Sequence, residues 1–173
     1  MTEKQEKIVS SALRLFAEQG YASTSTSKVA KEAGVSEGLI FRHFKNKEGL
    51  LQAILSQGQE KVSHMFRSLE SVNDPKEVIR RIIELPFSIE EDQKAFWKLL
   101  YALKWQANVY DDTMSIPIKQ VLVPAFEKLN YSNPAAEAES ILILIDGLAV
   151  AVLLRKPEQI GAIKQSILNK YHL

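Results

Sequence analysis

Thr26-Ser27-Lys28-Val29-Ala30-Lys31-Glu32-Ala33-Gly34-Val35-Ser36-Glu37-Gly38-Leu39-Ile40-Phe41-Arg42-His43-Phe44 is the stretch that decides the fold. Two short helical runs, about Thr26 to Ala33 and about Glu37 to His43, flank the turn Gly34-Val35-Ser36. Ser36 is suited to cap the second run, because a side-chain oxygen there can accept from backbone N–H groups left free in a helix's first turn. Val35 before Ser36 and Ile40 four residues after it are spaced as a hydrophobic staple, which fixes the angle at which the second helix leaves the turn. Ala30 is small where the helices would cross, and Val29, Ala33, Val35 and Ile40 supply a shared apolar interior, the pattern of a helix-turn-helix. The second helix would present free N–H groups and the positive end of its dipole, and short helices of this kind read base edges in a major groove.

Working outward, the upstream segment is a helix with a capping-box pattern at Thr2 and Gln5 and an apolar face through Ile8, Ala12, Leu15 and Phe16. Gly20 is placed to stop it through a left-handed cap, and Tyr21 to Ser25 form a loop. Downstream, a longer helix runs from about Lys47 into the Ser68 to Asp74 region. Prolines then punctuate the chain: Pro75 opens a helix, Pro86 ends or kinks it, Pro117 and Pro124 bracket one near Ile116 to Leu129, Pro134 opens one to about Leu154, and Pro157 opens the last. With a further helix from Asp92 to Val109, this predicts an all-α fold of about nine helices, since no period-two alternation or Asn-Gly turn points to strands.

Composition bounds the function. With 46% apolar and 25% charged residues, the chain is expected to fold as an ordinary packed protein and not to be disordered or fibrous. The absence of cysteine excludes a disulfide framework and thiolate metal sites, and fits a cytoplasmic protein. The polar start, Met1 to Gln5, lacks a secretory pattern, and the longest apolar run, Ile141 to Leu154, is broken by Asp146 and Gly147, so no membrane span is expected. Net charge is only +1, but Lys28, Lys31, Arg42, Lys45 and Lys47 face just Glu32 and Glu37 between residues 24 and 47, a local excess of +3.

Gly20-Tyr21-Ala22-Ser23-Thr24-Ser25 on one side and Lys45-Asn46-Lys47-Glu48-Gly49-Leu50-Leu51 on the other extend the opening stretch into one ungapped pattern. It resembles the DNA-binding signature of the tetracycline-repressor (TetR) family over nearly all of residues 6 to 55. The resemblance implies that Thr26 and Lys28 approach phosphates and that Ser27 reaches a base. It places Ser36, Glu37, Gly38, Leu39 and Arg42 at the exposed start and side of the recognition helix, Phe41 and His43 against the sugar-phosphate backbone, and Lys47 on a phosphate. Gly38 carries no side chain, so backbone can approach the duplex there. The sequence departs from the family at Phe41, where tyrosine is common, and at Leu39, where an apolar side chain suits a thymine methyl. Ile40 and Phe44 read as core, Phe41 fits either core or interface, and Lys31 and Lys45 read as solvated charges. Glu37 would repel phosphate, so it either caps the helix or accepts from a cytosine amine.

Beyond about Leu55 the resemblance fades, and in such families the body binds inducers. Trp97, Tyr101 and Trp105 recur every four residues and line one helix face, a pattern that serves either as core or as a ligand box. Met65, Phe87, Met114 and Phe126 complete the candidate pocket for a small apolar or aromatic effector. Ile141, Leu144, Ile145, Leu148 and Val152, with Ile160, Ile163, Ile167 and Tyr171, form the candidate dimer interface, since the resemblance implies a four-helix contact across a two-fold axis. Two-fold symmetry would set the two heads about 34 Å apart, one turn of DNA.

The expected division is a helix-turn-helix DNA-binding domain, residues 1–46, and a helical ligand-binding and dimerisation domain, residues 47–173. The expected function is a transcriptional regulator, a homodimeric repressor that leaves a palindromic operator when a small-molecule effector moves the helix after residue 47. The rivals are the same dimer acting as a protein co-activator without DNA, and a helical enzyme. His43, His64 and His172 are scattered, and neither a His-Glu-x-x-His metal pattern nor a phosphate loop occurs, so no catalytic residue, metal or cofactor is expected.

Overall fold

The computed structural model describes residues 1–104 and 115–173, apart from the side chains of residues 61, 62, 64–66, 68 and 70. Among the described residues there are nine α-helices and no strand: α1 (Glu3–Gln19), α2 (Thr26–Ala33), α3 (Glu37–Phe44), α4 (Lys47–Glu70), α5 (Pro75–Glu84), α6 (Lys94–Leu103), α7 (Ser115–Lys128), α8 (Pro134–Val150) and α9 (Ile160–Lys170). They form two compact units: α1 to α3, α4 through Lys61, and α6 make the first, while the rest of α4 with α5, α7, α8 and α9 makes the second.

In the first unit α1 starts as its sequence dictates. The Gln5 N–H donates to Thr2 Oγ1, and Gln5 Oε1 accepts from the Thr2 N–H, so the capping box is closed. Ile8, Val9, Ala12, Leu15 and Phe16 are buried along one face. The end differs from expectation: Gly20 donates to the Phe16 carbonyl, but its φ of 86° and ψ of 144° lie outside the left-handed helical region, so the chain leaves α1 extended. Thr24, fully buried, closes this end by donating to the Gly20 carbonyl at 2.9 Å. Ser25 then caps α2 by accepting from the Lys28 N–H at 3.2 Å.

Gly34, at φ 66° and ψ 36°, ends α2 in the left-handed region, and the Val35 N–H returns to the Ala30 carbonyl at 3.0 Å. Ser36 has the extended backbone of an N-cap but its hydroxyl makes no capping bond, a correction to the sequence reading. The first turn of α3 is tied across the turn instead, where the Thr26 hydroxyl donates to Glu37 Oε1 at 2.7 Å. Asn46 caps α4 by accepting from the Gly49 N–H at 2.7 Å. Gly49 is required there, because a Cβ would sit 2.0 Å from the Phe44 carbonyl oxygen. Helix α6 joins this unit through Leu99 and Leu103, which share one core with Ile8, Phe16, Val29, Ile40, Leu50, Leu51 and Ile54. The Phe96 ring fills the space that a side chain on Gly58 would need.

In the second unit, Asp74 caps α5 by accepting from the Lys76 N–H at 2.9 Å, with Pro75 at the start. Val78, Ile79, Ile82 and Ile83 are its buried face, and Pro86 marks its end in a 3-10 turn, Leu85–Ser88. Pro124 lies inside α7 and does not bracket it. Lys119 pairs with Glu139 at 2.8 Å, joining α7 to α8. Helix α8, capped by Asn133 on the Ala136 N–H, runs on through a π-helical turn, Ala151–Arg155, and stops at Lys156, whose φ of 48° is left-handed. The last helix opens at Ile160 and not at Pro157. Fully buried Phe126 meets Tyr131 edge-on at 4.9 Å and Tyr171 at 6.5 Å, so this ring is core of the second unit.

Candidate nucleic-acid interface

Helix α3 is amphipathic in the sense its sequence requires. Ile40 and Phe44 are buried and hold it to α1, α2 and α4 through the common core. The remaining positions face outward: Gly38, Phe41, Arg42 and His43 are exposed, and Glu37 and Leu39 are half-buried. Phe41 is 47% exposed, which resolves its two readings in favour of the surface. Phe41 thus adds an apolar ring to a face that also carries exposed Arg42 and His43.

The flanking candidates have defined settings. Ser27, Lys28 and Ser36 are exposed and Thr26 is half-buried. The Lys28 amine bonds to Gln19 Oε1. The Glu37 carboxylate is engaged by the Thr26 hydroxyl, so this acidic group bridges α2 and α3. Lys47 is held in two ways: its Nζ donates to the Ala22 carbonyl at 3.2 Å and stands 4.4 Å from the Tyr21 ring centroid. Tyr21 in turn packs edge-on against Phe16 at 5.1 Å. Its phenol is pushed above the ordinary tyrosine value, first by burial and then by the Glu48 charge. His43 Nδ1 lies 3.2 Å from Gln5 Nε2, and its ring meets Phe44 edge-on at 6.3 Å.

Sequence reasoning did not single out Gln5, Tyr21, Ser25 or Asn46 as supports of this face. Ser25 and Asn46 were recoverable, each being a capping residue type directly before a helix. Gln5 was not, because 38 residues separate it from His43.

The candidate pocket residues fall in different places. Trp97 and Tyr101 are half-buried on α6, one turn apart; Trp97 packs edge-on to Phe96 at 5.5 Å, and Lys104 Nζ stands 4.7 Å from the Tyr101 centroid. The fully buried face of α6 is instead Leu99 and Leu103. Phe87 is half-buried in the 3-10 turn of the second unit. Trp105, Met114 and the side chain of Met65 lie outside the described residues.

Several candidate dimer residues are already covered by their own chain. Ile141, Ile145, Leu148 and Ile167 are buried within this single chain and so cannot supply the free face expected of them. Leu144, Val152, Ile160 and Tyr171 are half-buried and Ile163 is exposed. The apolar side chains that α8 and its π turn leave in water are Ile143, Val150 and Leu154.

These features define an all-helical protein with an N-terminal helix-turn-helix. Residues 8–54 match the family of bacterial regulatory proteins described as the tetR family. It is 36% identical over 104 residues, 58% of this chain, to the uncharacterized HTH-type transcriptional regulator YerO of Bacillus subtilis (strain 168). It is 28% identical over 148 residues, 86% of this chain, to the uncharacterized HTH-type transcriptional regulator YuxN of the same organism. The chain spans 36% and 45% of the lengths of these two relatives, less than half of either. The fold also matches that of a transcriptional regulator from Rhodococcus sp. Rha1, with a TM-score of 0.79 at 20% identity over 96% of this chain and 94% of that one. Both relatives are transcriptional regulators by name. No helix among the described residues is long and apolar enough to cross a membrane.

Proposed function

We propose that this chain is a cytoplasmic transcriptional repressor that binds a palindromic operator as a homodimer and is released by a small apolar or aromatic effector. One observation carries the reading: α3 exposes Gly38, Phe41, Arg42 and His43 while Ile40 and Phe44 anchor it from beneath. The division of labour follows the sequence, with residues 1–46 as the DNA-binding domain and 47–173 as the ligand-binding and dimerisation domain. Arg42, Lys28, Lys47 and the Thr26 hydroxyl meet phosphates, Ser36 and Glu37 sit at the mouth of the recognition helix, and Ser27, Gly38 and Leu39 lie against base edges. The dimer forms on the apolar residues of α8, its π turn and α9 that the single chain leaves uncovered, Ile143, Val150, Leu154 and Ile163, with half-buried Leu144 and Val152 at their edge. Trp97 and Tyr101 offer aromatic surface to the effector, which shifts operator occupancy only by its differential affinity for two states of the dimer.

Titrating labelled duplexes, non-specific and selected from genomic fragments, at two salt concentrations tests this. Saturable binding of a palindromic fragment above the salt-sensitive background is expected. In Arg42→Ala with Lys47→Ala, affinity falls for all duplexes and the salt dependence becomes shallower by about two phosphate contacts. Background binding alone, unchanged in the double variant, sinks the proposal in favour of a dimer that works without DNA.

A further inference from the structure

The geometry assigns Gln5, on α1, the role of a positioning residue for the recognition helix: it holds the His43 ring so that the neutral imidazole presents its Nε2–H outward as a fixed donor. This rests on the reading of α3 as the DNA-binding helix. The Gln5 side-chain amide has two partners, and they fix its orientation. Its Oε1 lies 2.8 Å from the Thr2 N–H, a group that can only donate, so the oxygen must face Thr2. The NH2 group then faces His43 Nδ1 at 3.2 Å, and an amide nitrogen can only donate. Nδ1 must therefore hold a lone pair, and the ring proton resides on Nε2.

The arrangement joins two pieces of local structure with one side chain. Gln5 closes the capping box of α1, so its backbone position and its side-chain torsions are set before it reaches His43. A donor whose direction is set in advance loses less freedom when it meets a phosphate oxygen than one on a freely rotating ring. Asparagine at position 5 is one methylene shorter, and glutamate would accept where the amide donates, so neither substitutes.

The test compares the full chain with Gln5→Ala, Gln5→Glu, His43→Ala, Gln5→Ala with His43→Ala, and Thr2→Ala. Thr2→Ala removes the hydroxyl of the cap without touching the Gln5 to His43 contact, and so controls for destabilised α1. Nitrogen-15 spectra of the His43 ring, recorded well above the ordinary histidine pKa of about 6.5, report which nitrogen carries the proton. The expected pattern is a lone-pair Nδ1 and a protonated Nε2 in wild type and Thr2→Ala, averaging in Gln5→Ala, and a shift of the proton toward Nδ1 in Gln5→Glu. Duplex affinity is expected to fall about three- to tenfold in Gln5→Ala, with no further fall from Gln5→Ala once His43 is alanine. Identical ring spectra in wild type and Gln5→Glu, or an equal loss in the His43→Ala background, overturn the assignment. A wild-type chain that binds no duplex overturns the functional reading instead, and the ring spectra then decide by themselves whether Gln5 sets the tautomer.

Discussion

At Gly49 the steric requirement is set by backbone. Its missing side chain lets the start of α4 lie against the end of α3, with the Phe44 carbonyl oxygen 2.0 Å from where a Cβ would be. Gly49→Ala must displace backbone and not a flexible side-chain tip, so thermal melts are expected to show a loss of about 1–3 kcal/mol. Phe41 makes the complementary case, a residue free to change. It is exposed on α3 and lacks the hydroxyl that the tetR-family pattern commonly supplies there. Phe41→Tyr is expected to leave the melting temperature unchanged and to tighten duplex binding about three- to tenfold, read by titration at fixed salt, because a phenol can donate to a phosphate oxygen. Unchanged affinity would remove Phe41 from the interface. At the other end of the chain, burial, then Glu137 and then Tyr131, raise the Tyr171 phenol above its ordinary value. The unfolded chain then releases this proton first, so stability present below about pH 10 declines as pH climbs beyond it. Tyr171→Phe should flatten that decline in chemical denaturation series run from about pH 8 to about pH 11.

Elements show how local chemistry sets boundaries. Thr2, Ser25, Asp74 and Asn133 each accept from a backbone N–H in the first turn of the helix that follows, and Asn46 does the same for α4. Asn46→Ala is expected to cost about 1 kcal/mol in denaturant melts, the usual worth of such a cap. These starts were legible because a cap is a matter of a few consecutive residues. The prolines read less well. Pro124 sits within α7, and Pro157 precedes α9 by three residues, because a proline's effect depends on whether neighbouring packing can hold the helix around it. Ser36 lies where a cap belongs yet makes no capping bond, while the Thr26 hydroxyl reaches Glu37 across the turn.

At the scale of the whole molecule the question is which apolar surface is left over. Ile143 is 68% exposed and Leu154 66% exposed in the single chain. Ile143→Glu with Leu154→Glu is expected to leave the fold intact by circular dichroism and to shift sedimentation from dimer to monomer. Ile141→Ala, by contrast, opens a cavity in the second unit and is expected to cost about 2–5 kcal/mol. A double glutamate variant that sediments like wild type would exclude this face as the interface.

The amino-acid sequence by itself determined the class of fold, the helix-turn-helix between Thr26 and Phe44 and the starts of α1 to α5 and of α8, because each is written in residue types a few positions apart. It also identified which α3 residues are core, since in a short amphipathic helix burying Ile40 and Phe44 leaves the other face outward. Only the tertiary structure decided the rest. Helix α8 is apolar around most of its circumference, so its sequence carries no preferred side, and packing in the second unit chose Ile141, Ile145 and Leu148 for the core over Ile143 and Leu154. Helix α6 joined the core of α1 through Leu99 and Leu103 and left Trp97 and Tyr101 half-buried, with the Phe96 ring seated over Gly58, a contact between residues far apart in sequence. The reach of Gln5 to His43 is of the same kind: burial and hydrogen bonding between distant residues follow from the path of the whole chain, which no window of neighbouring residues contains.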